Sequence, residues 1–177
     1  FPGISSGDPD LYKAFAWRFW HLVRDGGDVG VVLPRQALAG TGSAPWREAV
    51  LSEGTFSDVT LVVNSGRWVF GSVHAQYSIG FVSMRRTSEA GRSISMHGPF
   101  STRAEFDEGM AGPPVEFLVE DFITWTNGAA FPLLPTERSA ATFLKLRKQP
   151  RLDVAGNWRA RPVRELHATD DRDLLLP

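Results

Sequence analysis

The chain has 177 residues, 42% of them hydrophobic, and 19 Lys and Arg against 20 Asp and Glu give a formal net charge of −1. This length can bury one sizeable core, and the balanced charge excludes a wholly basic or wholly acidic domain. The absence of cysteine excludes disulfides and thiolate metal sites, and no apolar run approaches the roughly 20 residues of a membrane span, so we expect a cytoplasmic protein.

The first predicted element is a helix that begins near residue 8. Asp8 is a favourable N-cap, Pro9 suits the first helical position, and Asp10 adds negative charge to the first turn. Apolar residues then recur at helical spacing, which predicts that one face is buried against a flat surface. They are Leu11, Phe15, Phe19, Leu22 and Val23, widened by Tyr12 and Trp20. Gly26 and Gly27 should end the helix.

A β-strand is predicted directly after this helix. Residues 29–33 form a short β-branched run without alternation, closed by Pro34. That pattern is typical of a strand covered on both faces, as in a parallel sheet. Ser43 can then cap a second helix that extends to about Glu53, with Pro45 in its first turn.

Two more strands complete the first part of the chain. Residues 58–63 and 77–84 are the candidate strands, with a turn signal at residues 64–66 between them. The order helix, strand, helix, strand, strand is half of a doubly wound α/β domain.

After residue 86 glycine and proline interrupt the pattern. The candidate elements here are a strand at residues 115–119 and a helix at residues 136–148. We therefore expect an α/β half-domain at residues 1–86, a linker at 87–114 and an irregular α+β segment at 115–177.

The layout of the first part resembles the amino-methylating DNA methyltransferases. The likeness lies in Asp10-Leu11-Tyr12-x-x-Phe15, the helix running into Gly26-Gly27, and Val29-Gly-Val-Val-Leu-Pro34 followed by Leu38. It is closest to the gamma-class, adenine-specific (N6) enzymes of restriction-modification and phage-exclusion systems, including type IIG-like methylases. The likeness covers residues 8–86, with softer matches at residues 157–159 and 164–169.

This resemblance implies a fold, a cofactor and site residues. The fold would be the last strands and helices of a partial Rossmann-like sheet that uses S-adenosylmethionine, and residues 115–177 would begin target recognition. Leu11 and Phe15 would line the pocket for the cofactor's adenine ring, and Phe70 would stack on a target adenine rotated out of the duplex. The alternatives are that Phe15 is a core residue and that Phe70 closes the end of the sheet.

The residues that would hold the reacting amine are missing from the sequence. Such enzymes use an Asn/Asp-Pro-Pro-Tyr/Phe tetrapeptide, and Gly112-Pro113-Pro114-Val115 lacks both the acceptor side chain and the ring. In the motif order of the gamma class, this tetrapeptide lies before residue 8. So do the glycine-rich turn that would cradle the methionine portion of the cofactor and the acidic residue that would bind its ribose. We therefore expect a piece of a longer enzyme, inactive alone. The alternatives are a non-catalytic DNA-binding or assembly subunit that retains half a methyltransferase domain, or an RNA or protein methyltransferase of the same fold.

Double-stranded DNA is the expected partner, together with restriction or defence-system subunits. Between residues 138 and 164 cations outnumber the single acid, Asp153, and this segment could lie along phosphates. The candidates for contact with the DNA backbone are Arg138, Lys145, Arg147, Lys148, Arg151, Arg159, Arg161 and Arg164. The alternative is a solvated helix face around residues 136–148.

Other motifs give weaker predictions. Gly3-Ile-Ser5-Ser-Gly7 matches a hydrolase nucleophile elbow, with His167 as a possible base, but the buried strand that must precede it is missing. The histidines are scattered, and Asp170-Asp-x-Asp173 lacks the glycine and distal glutamate of a calcium loop. We expect no metal site.

Overall fold

A computed structural model describes residues 10–89, 92–124, 128–134 and 136–150. The strands are β1 (Asp28–Pro34), β2 (Gly54–Val63), β3 (Ser78–Arg86), β4 (Ser93–Phe100) and β5 (Val115–Leu118). The helices are α1 (Leu11–Leu22), α2 (Arg35–Ala39), α3 (Ala44–Glu53), α4 (Arg103–Met110), α5 (Val119–Phe122) and α6 (Glu137–Arg147), with 3-10 turns at Thr41–Ser43 and Ser65–Arg67. Contacts divide the chain into two units, residues 1–141 and 142–177, and the sheet belongs to the first.

The five strands form one mixed sheet in the order β1-β3-β2-β4-β5. β3 is antiparallel to both β1 and β2, β2 is parallel to β4, and β4 is antiparallel to β5. Helices α1 and α3 pack on one face and α4 on the other. The predicted α/β class is therefore confirmed, and the predicted strands at residues 29–33, 58–63 and 77–84 all form.

β1 was predicted to be a strand covered on both faces, as in a parallel sheet. That prediction is wrong. The strand lies at an edge of the sheet in the described part of the chain, antiparallel to β3, and its Asp28, Gly30 and Val32 are exposed. The reason is that α1 and α2 cover only one face of this strand. The apolar residues of β1 could be buried on both faces, but the described residues cover only one face.

The buried face of α1 also differs from the prediction. The helix begins at Leu11 with Asp10 as its N-cap, and the predicted cap at Asp8 lies outside the described residues. Ala16, Trp20 and Val23 are buried, whereas 75% of Leu11, 53% of Phe15 and 64% of Leu22 is exposed. The prediction that the apolar stripe is buried is therefore wrong for these three residues, because the face with Ala16, Trp20 and Val23 is the buried one.

The connection from α3 into β2 explains the position of Trp20. Ser43 is the N-cap of α3 and Pro45 lies in its first turn, as predicted. Gly54 follows the helix directly, and a Cβ there would collide with the carbonyl oxygen of Arg85 and lie 2.8 Å from the Trp20 ring. The guanidinium of Arg86 stands 4.9 Å from the centre of that ring. Glycine thus lets the start of β2 pass closely beneath α1.

The core lies between the sheet and helices α1 and α3. Phe56 of β2 meets Trp46 edge to face at 5.5 Å between ring centres and meets Phe131 at 4.9 Å. Phe122 packs on Phe131 at 4.7 Å. These rings are almost fully buried, and large aromatic side chains contribute strongly to a core.

The residues predicted as a linker, 87–114, contain β4 and α4. On the opposite face from the core, the Phe106 ring of α4 lies 5.7 Å from Phe100 and 6.4 Å from Phe81. Gly109 faces Phe100 so closely that a Cβ would collide with the ring. In the sequence Gly109 looks like a break in regular structure. In the fold it lies inside α4 and lets that helix pack closely against the Phe100 ring. β5 forms at residues 115–118 and extends the same sheet.

Candidate functional site

Phe70, the predicted base-stacking residue, lies at one end of the sheet. β1 and β2 both finish there, since Pro34 pairs with Ile79 and Val63 pairs with Ser78, where β3 begins. Helix α2 follows β1 at this end. Residues 64–77, which we call the aromatic loop, connect β2 to β3 and carry Phe70.

The aromatic loop is held by one buried side chain, Asn64, which is 0% exposed. Its Oδ1 accepts hydrogen bonds from the backbone N–H groups of Val69 at 3.1 Å and Phe70 at 3.0 Å. Its Nδ2 donates to the carbonyl oxygens of Phe70 at 3.0 Å and Val73 at 3.1 Å. A third carbonyl, of His74, lies at 3.5 Å. Every hydrogen-bonding atom of the carboxamide is therefore directed at the loop.

Two further features fix the start of the loop. The Trp68 indole N–H donates to the Val63 carbonyl at 2.8 Å, and its ring lies 5.9 Å from Phe106 of α4. Gly66 and Arg67 both adopt left-handed backbone conformations, with φ of 64° and 63°. Arg67 incurs a conformational penalty that glycine would avoid, a pattern that recurs where surrounding structure holds a segment in place.

The rings of this loop remain accessible. Phe70 is 39% exposed and Tyr77 is 56% exposed. His74 meets Tyr77 edge to face at 6.0 Å, and these two residues with Gln76 line an open cavity of about 390 Å³. Phe70 is thus a partly exposed ring on a pinned loop rather than an enclosed plug in the sheet.

Leu11 and Phe15 belong to the N-terminal half of α1, at the same end of the sheet. Residues of that half, Tyr12 and Ala16, line a small cavity with Ala37 of α2, which directly follows β1. Both predicted residues are exposed, so Phe15 is not a core residue of the described structure. Phe15 stacks on Phe19 with 6.0 Å between ring centres. The two residues offer an open apolar wall.

Arg47 of α3 fixes the segment that follows β1. It is 1% exposed and donates to the carbonyl oxygens of Ala37 at 2.8 Å, Gly40 at 2.9 Å and Gly128 at 2.8 Å. Burial lowers the pKa of its guanidinium to about 10, so it stays charged at neutral pH. This arginine holds the backbone of the site without being exposed to a ligand.

The predicted DNA-contacting cations fall in and after α6. Arg138, Lys145 and Lys148 are exposed and Arg147 is half-buried. The remaining candidates, Arg151, Arg159, Arg161 and Arg164, lie outside the described residues. Exposure suits either contact with phosphates or a solvated helix face, so the assignment stays a prediction.

The weaker motifs remain without structural support. The elbow around Ser5, His167 and the acidic turn at residues 170–173 lie outside the described residues. Within the described ranges, no group of three or more His, Asp or Glu side chains could hold a metal ion. The same part of the chain contains no helix long and apolar enough to cross a membrane.

Sequence reasoning missed Asn64, Tyr77 and Arg47. The Asn64-Ser-Gly66 triplet indicates a turn, but not that the asparagine side chain organises the ten residues after it. The sequence pattern places Tyr77 in a strand, although β3 begins one residue later. For Arg47 no sequence signal distinguishes a buried arginine from a surface one on a short helix.

Comparisons with known proteins show solved structures that share this fold. No family model matches the sequence, and no curated protein matches it. The chain is similar in structure to a modification subunit of a putative type I restriction enzyme from Vibrio vulnificus YJ016, with a TM-score of 0.52 and 15% identity over 84% of this chain and 36% of that chain. A type I restriction-modification methyltransferase subunit from Streptococcus thermophilus gives a TM-score of 0.48 and 17% identity over 70% of this chain and 30% of that one.

The type IIG restriction endonuclease BpuSI is also similar, with a TM-score of 0.40 and 22% identity over 54% of this chain and 11% of that one. The chain spans about a third of the length of the type I subunits that it matches. Its fold is that of part of a Rossmann-like methyltransferase, as the resemblance implied.

Proposed function

We propose that this chain forms the second half of the catalytic domain of an adenine-specific DNA methyltransferase of a restriction-modification or defence system. The reaction would transfer a methyl group from S-adenosylmethionine to the exocyclic amine of an adenine rotated out of the duplex. The fold shared with a type I modification subunit over 84% of this chain supports the proposal. The proposal includes the motif order of the gamma class, in which the catalytic tetrapeptide lies before residue 8. This order is needed because no such tetrapeptide occurs in the sequence.

The observation that favours this function most is the placement of Phe70. Its ring is partly exposed, while both its N–H and its carbonyl are bonded to Asn64. Extruding a base from a duplex costs a few kcal/mol, and stacking on an aromatic ring returns roughly 1–3 kcal/mol per base. A ring held in advance at the end of the sheet suits that task, because little of its freedom remains to be lost on binding.

The cofactor fits the described residues only in part. Leu11 and Phe15 supply an exposed apolar and aromatic wall against which an adenine ring could lie. When bound, S-adenosylmethionine would supply the electrophilic methyl group. The polar groups for its ribose and methionine portions would come from the other half of the domain.

The outer edge of β1 is the proposed docking flank for that other half. α3 packs over β2 and β3, whereas α1 packs on β1. Trp17 lies on the flank of α1 toward α3, since it lines a cavity with Trp46 of α3. Phe15 is two residues from Trp17 and so about 160° away around the helix. It therefore overhangs the edge of β1, which is unpaired among the described residues, and a strand with its helix would cover both.

Methyl transfer to DNA tests the proposal. The protein encoded by the extended reading frame should transfer labelled methyl groups from S-adenosylmethionine to adenine, and the 177-residue chain alone should not. Phe70→Ala in the extended protein should lower kcat/KM by about 5- to 150-fold, the equivalent of about 1–3 kcal/mol of stacking, while Phe70→Tyr should retain activity. Leu118→Ala, at a residue 51% exposed on β5, is the matched control and should have no effect.

The alternative is a non-catalytic assembly or DNA-binding subunit, and the missing tetrapeptide is the observation that favours it. An extended reading frame without an Asn-Pro-Pro-Tyr-type motif and without methyl transfer would establish that alternative. Methylation of RNA or of protein in place of DNA would contradict the substrate but not the reaction.

A further inference from the structure

We infer that Asn64 is the positioning residue of Phe70: a single buried carboxamide that sets where the aromatic ring stands. This inference rests on the proposed function of Phe70 as a base-stacking ring. Asn64 itself is 0% exposed and cannot touch a ligand directly.

The direction of its hydrogen bonds is the first argument. A buried asparagine that served the core would bond to other elements of the sheet. The Asn64 side chain instead bonds to Val69, Phe70 and Val73, all in its own loop. A buried carboxamide must form hydrogen bonds through both its oxygen and its nitrogen. The loop is therefore restricted to conformations in which its backbone N–H and carbonyl groups reach the Asn64 side chain.

The second argument is that Phe70 is clamped on both sides. Its N–H lies 3.0 Å from Oδ1 and its carbonyl oxygen lies 3.0 Å from Nδ2 of the same side chain. The backbone of Asn64 adds two more bonds, from its N–H to the Tyr77 carbonyl at 2.9 Å and from the Arg67 N–H to its carbonyl at 2.8 Å. The peptide units on either side of Phe70 are fixed, and the ring alone projects toward solvent.

Among the described hydrogen bonds, Phe70 has only one other support besides Asn64, and it is weaker. Trp68 is tied to Val63, which holds the loop's start but not its tip. The Val73 N–H reaches the Phe70 carbonyl at 3.3 Å, a longer bond than either bond from Asn64. Removing the carboxamide therefore leaves the ring attached to a backbone with one weak restraint.

The test uses the 177-residue chain with Asn64→Ala, Asn64→Asp, Phe70→Ala and the double variant Asn64→Ala/Phe70→Ala. Ser65→Ala is the matched control at the exposed neighbour. The first measurement is amide hydrogen exchange. In Asn64→Ala the Val69 and Phe70 amides should exchange at least about tenfold faster, whereas Val59 and Val82 in the β2–β3 ladder should keep their rates and thereby show that the sheet remains folded. Asn64→Asp keeps the oxygen acceptors but cannot donate to Phe70 and Val73, and should also speed exchange at Phe70.

The second measurement is base stacking, probed by a single-stranded oligonucleotide that contains one 2-aminopurine, whose fluorescence falls when the base stacks. Phe70→Ala should abolish the quenching, Asn64→Ala and Asn64→Asp should lose most of it, and the double variant Asn64→Ala/Phe70→Ala should lose no more than Phe70→Ala alone. Ser65→Ala should quench as the parent chain does.

The outcomes separate the two proposals. Normal quenching by Asn64→Ala, while Phe70→Ala abolishes it, would overturn the positioning role and leave the stacking role intact. Unchanged exchange at Val69 and Phe70 would overturn it as well. Normal quenching by Phe70→Ala would instead overturn the stacking function, and the positioning role with it.

Discussion

Arg47 shows how one side chain can hold the backbone near a site without taking part in it. Its three carbonyl partners lie in two separate segments: Ala37 and Gly40 belong to α2 and its C-cap, and Gly128 lies far along the chain. Arg47 is not part of any described salt bridge, so its hydrogen-bond partners are the three carbonyl oxygens, and the charge of Glu48 acts on it only at longer range. Such a group stabilises the fold because, without it, these buried carbonyl oxygens would have no hydrogen-bond donor.

We predict that Arg47→Met destabilises the chain by about 2–4 kcal/mol, because it leaves buried carbonyl oxygens without donors. Arg103→Met is the control, since Arg103 pairs only with Asp107 on the surface of α4 and should lose less than about 0.5 kcal/mol. Urea unfolding of both variants measures the difference. Equal losses would show that water replaces the guanidinium.

The pH dependence of this contribution has a definite sign. The folded-state pKa of Arg47, about 10, lies below the ordinary arginine value because burial disfavours the charge. Stability linked to this group therefore rises only as the pH passes upward through about 10, and Arg47 contributes no slope between about pH 5 and 9.

At the scale of a residue, the sequence could nominate side chains for a site but could not describe their surroundings. Phe70, Leu11 and Phe15 follow from a resemblance and all three are accessible, as a ligand contact requires. Asn64 could not be found in this way, because its role depends on which backbone groups surround it after the loop closes. A turn signal in the sequence gives no information about those partners.

At the scale of an element, α1 shows why periodicity alone does not fix the buried face. The helix has apolar residues on more than one side, and the side that is buried is set by Trp20 fitting above Gly54. The elements that were predicted lie within a few residues of where they form, since capping residues, prolines and β-branched runs act locally, but α2, β4, α4 and α5 were not predicted. Strand order was not predictable, because it depends on pairing over many residues.

We predict that Trp20→Ala destabilises the chain by about 3–5 kcal/mol, as expected for an aromatic residue that is 1% exposed. Phe15→Ala, on the exposed flank of the same helix, should change stability by less than about 0.5 kcal/mol. Thermal or urea unfolding at low protein concentration measures both. A large loss for Phe15→Ala would mean that the stripe is covered in the isolated chain, for example by a second copy.

At the scale of the whole molecule, the proposed partner is DNA, and salt dependence tests the cations of α6. Replacing Arg138, Lys145 and Lys148 by Gln should make the slope of log affinity against log salt less steep, by about 0.9 for each duplex phosphate that these cations no longer neutralise. The control replaces Arg18, Arg24 and Arg103, which are exposed elsewhere and remove the same charge. Equal slopes for the two variants would indicate a solvated helix face.

The order of the strands has a consequence for how the chain folds during synthesis. Within the described structure every partner of β1 and β2 comes later in the sequence, because β3 inserts between them and β4 adds on the far side. In the 177-residue chain, neither strand can pair with its described partners until Ser78 and the residues after it have left the ribosome. We therefore expect nascent chains that end before Ser78 to remain protease-sensitive, and β3 to act as the segment whose arrival allows the sheet to assemble.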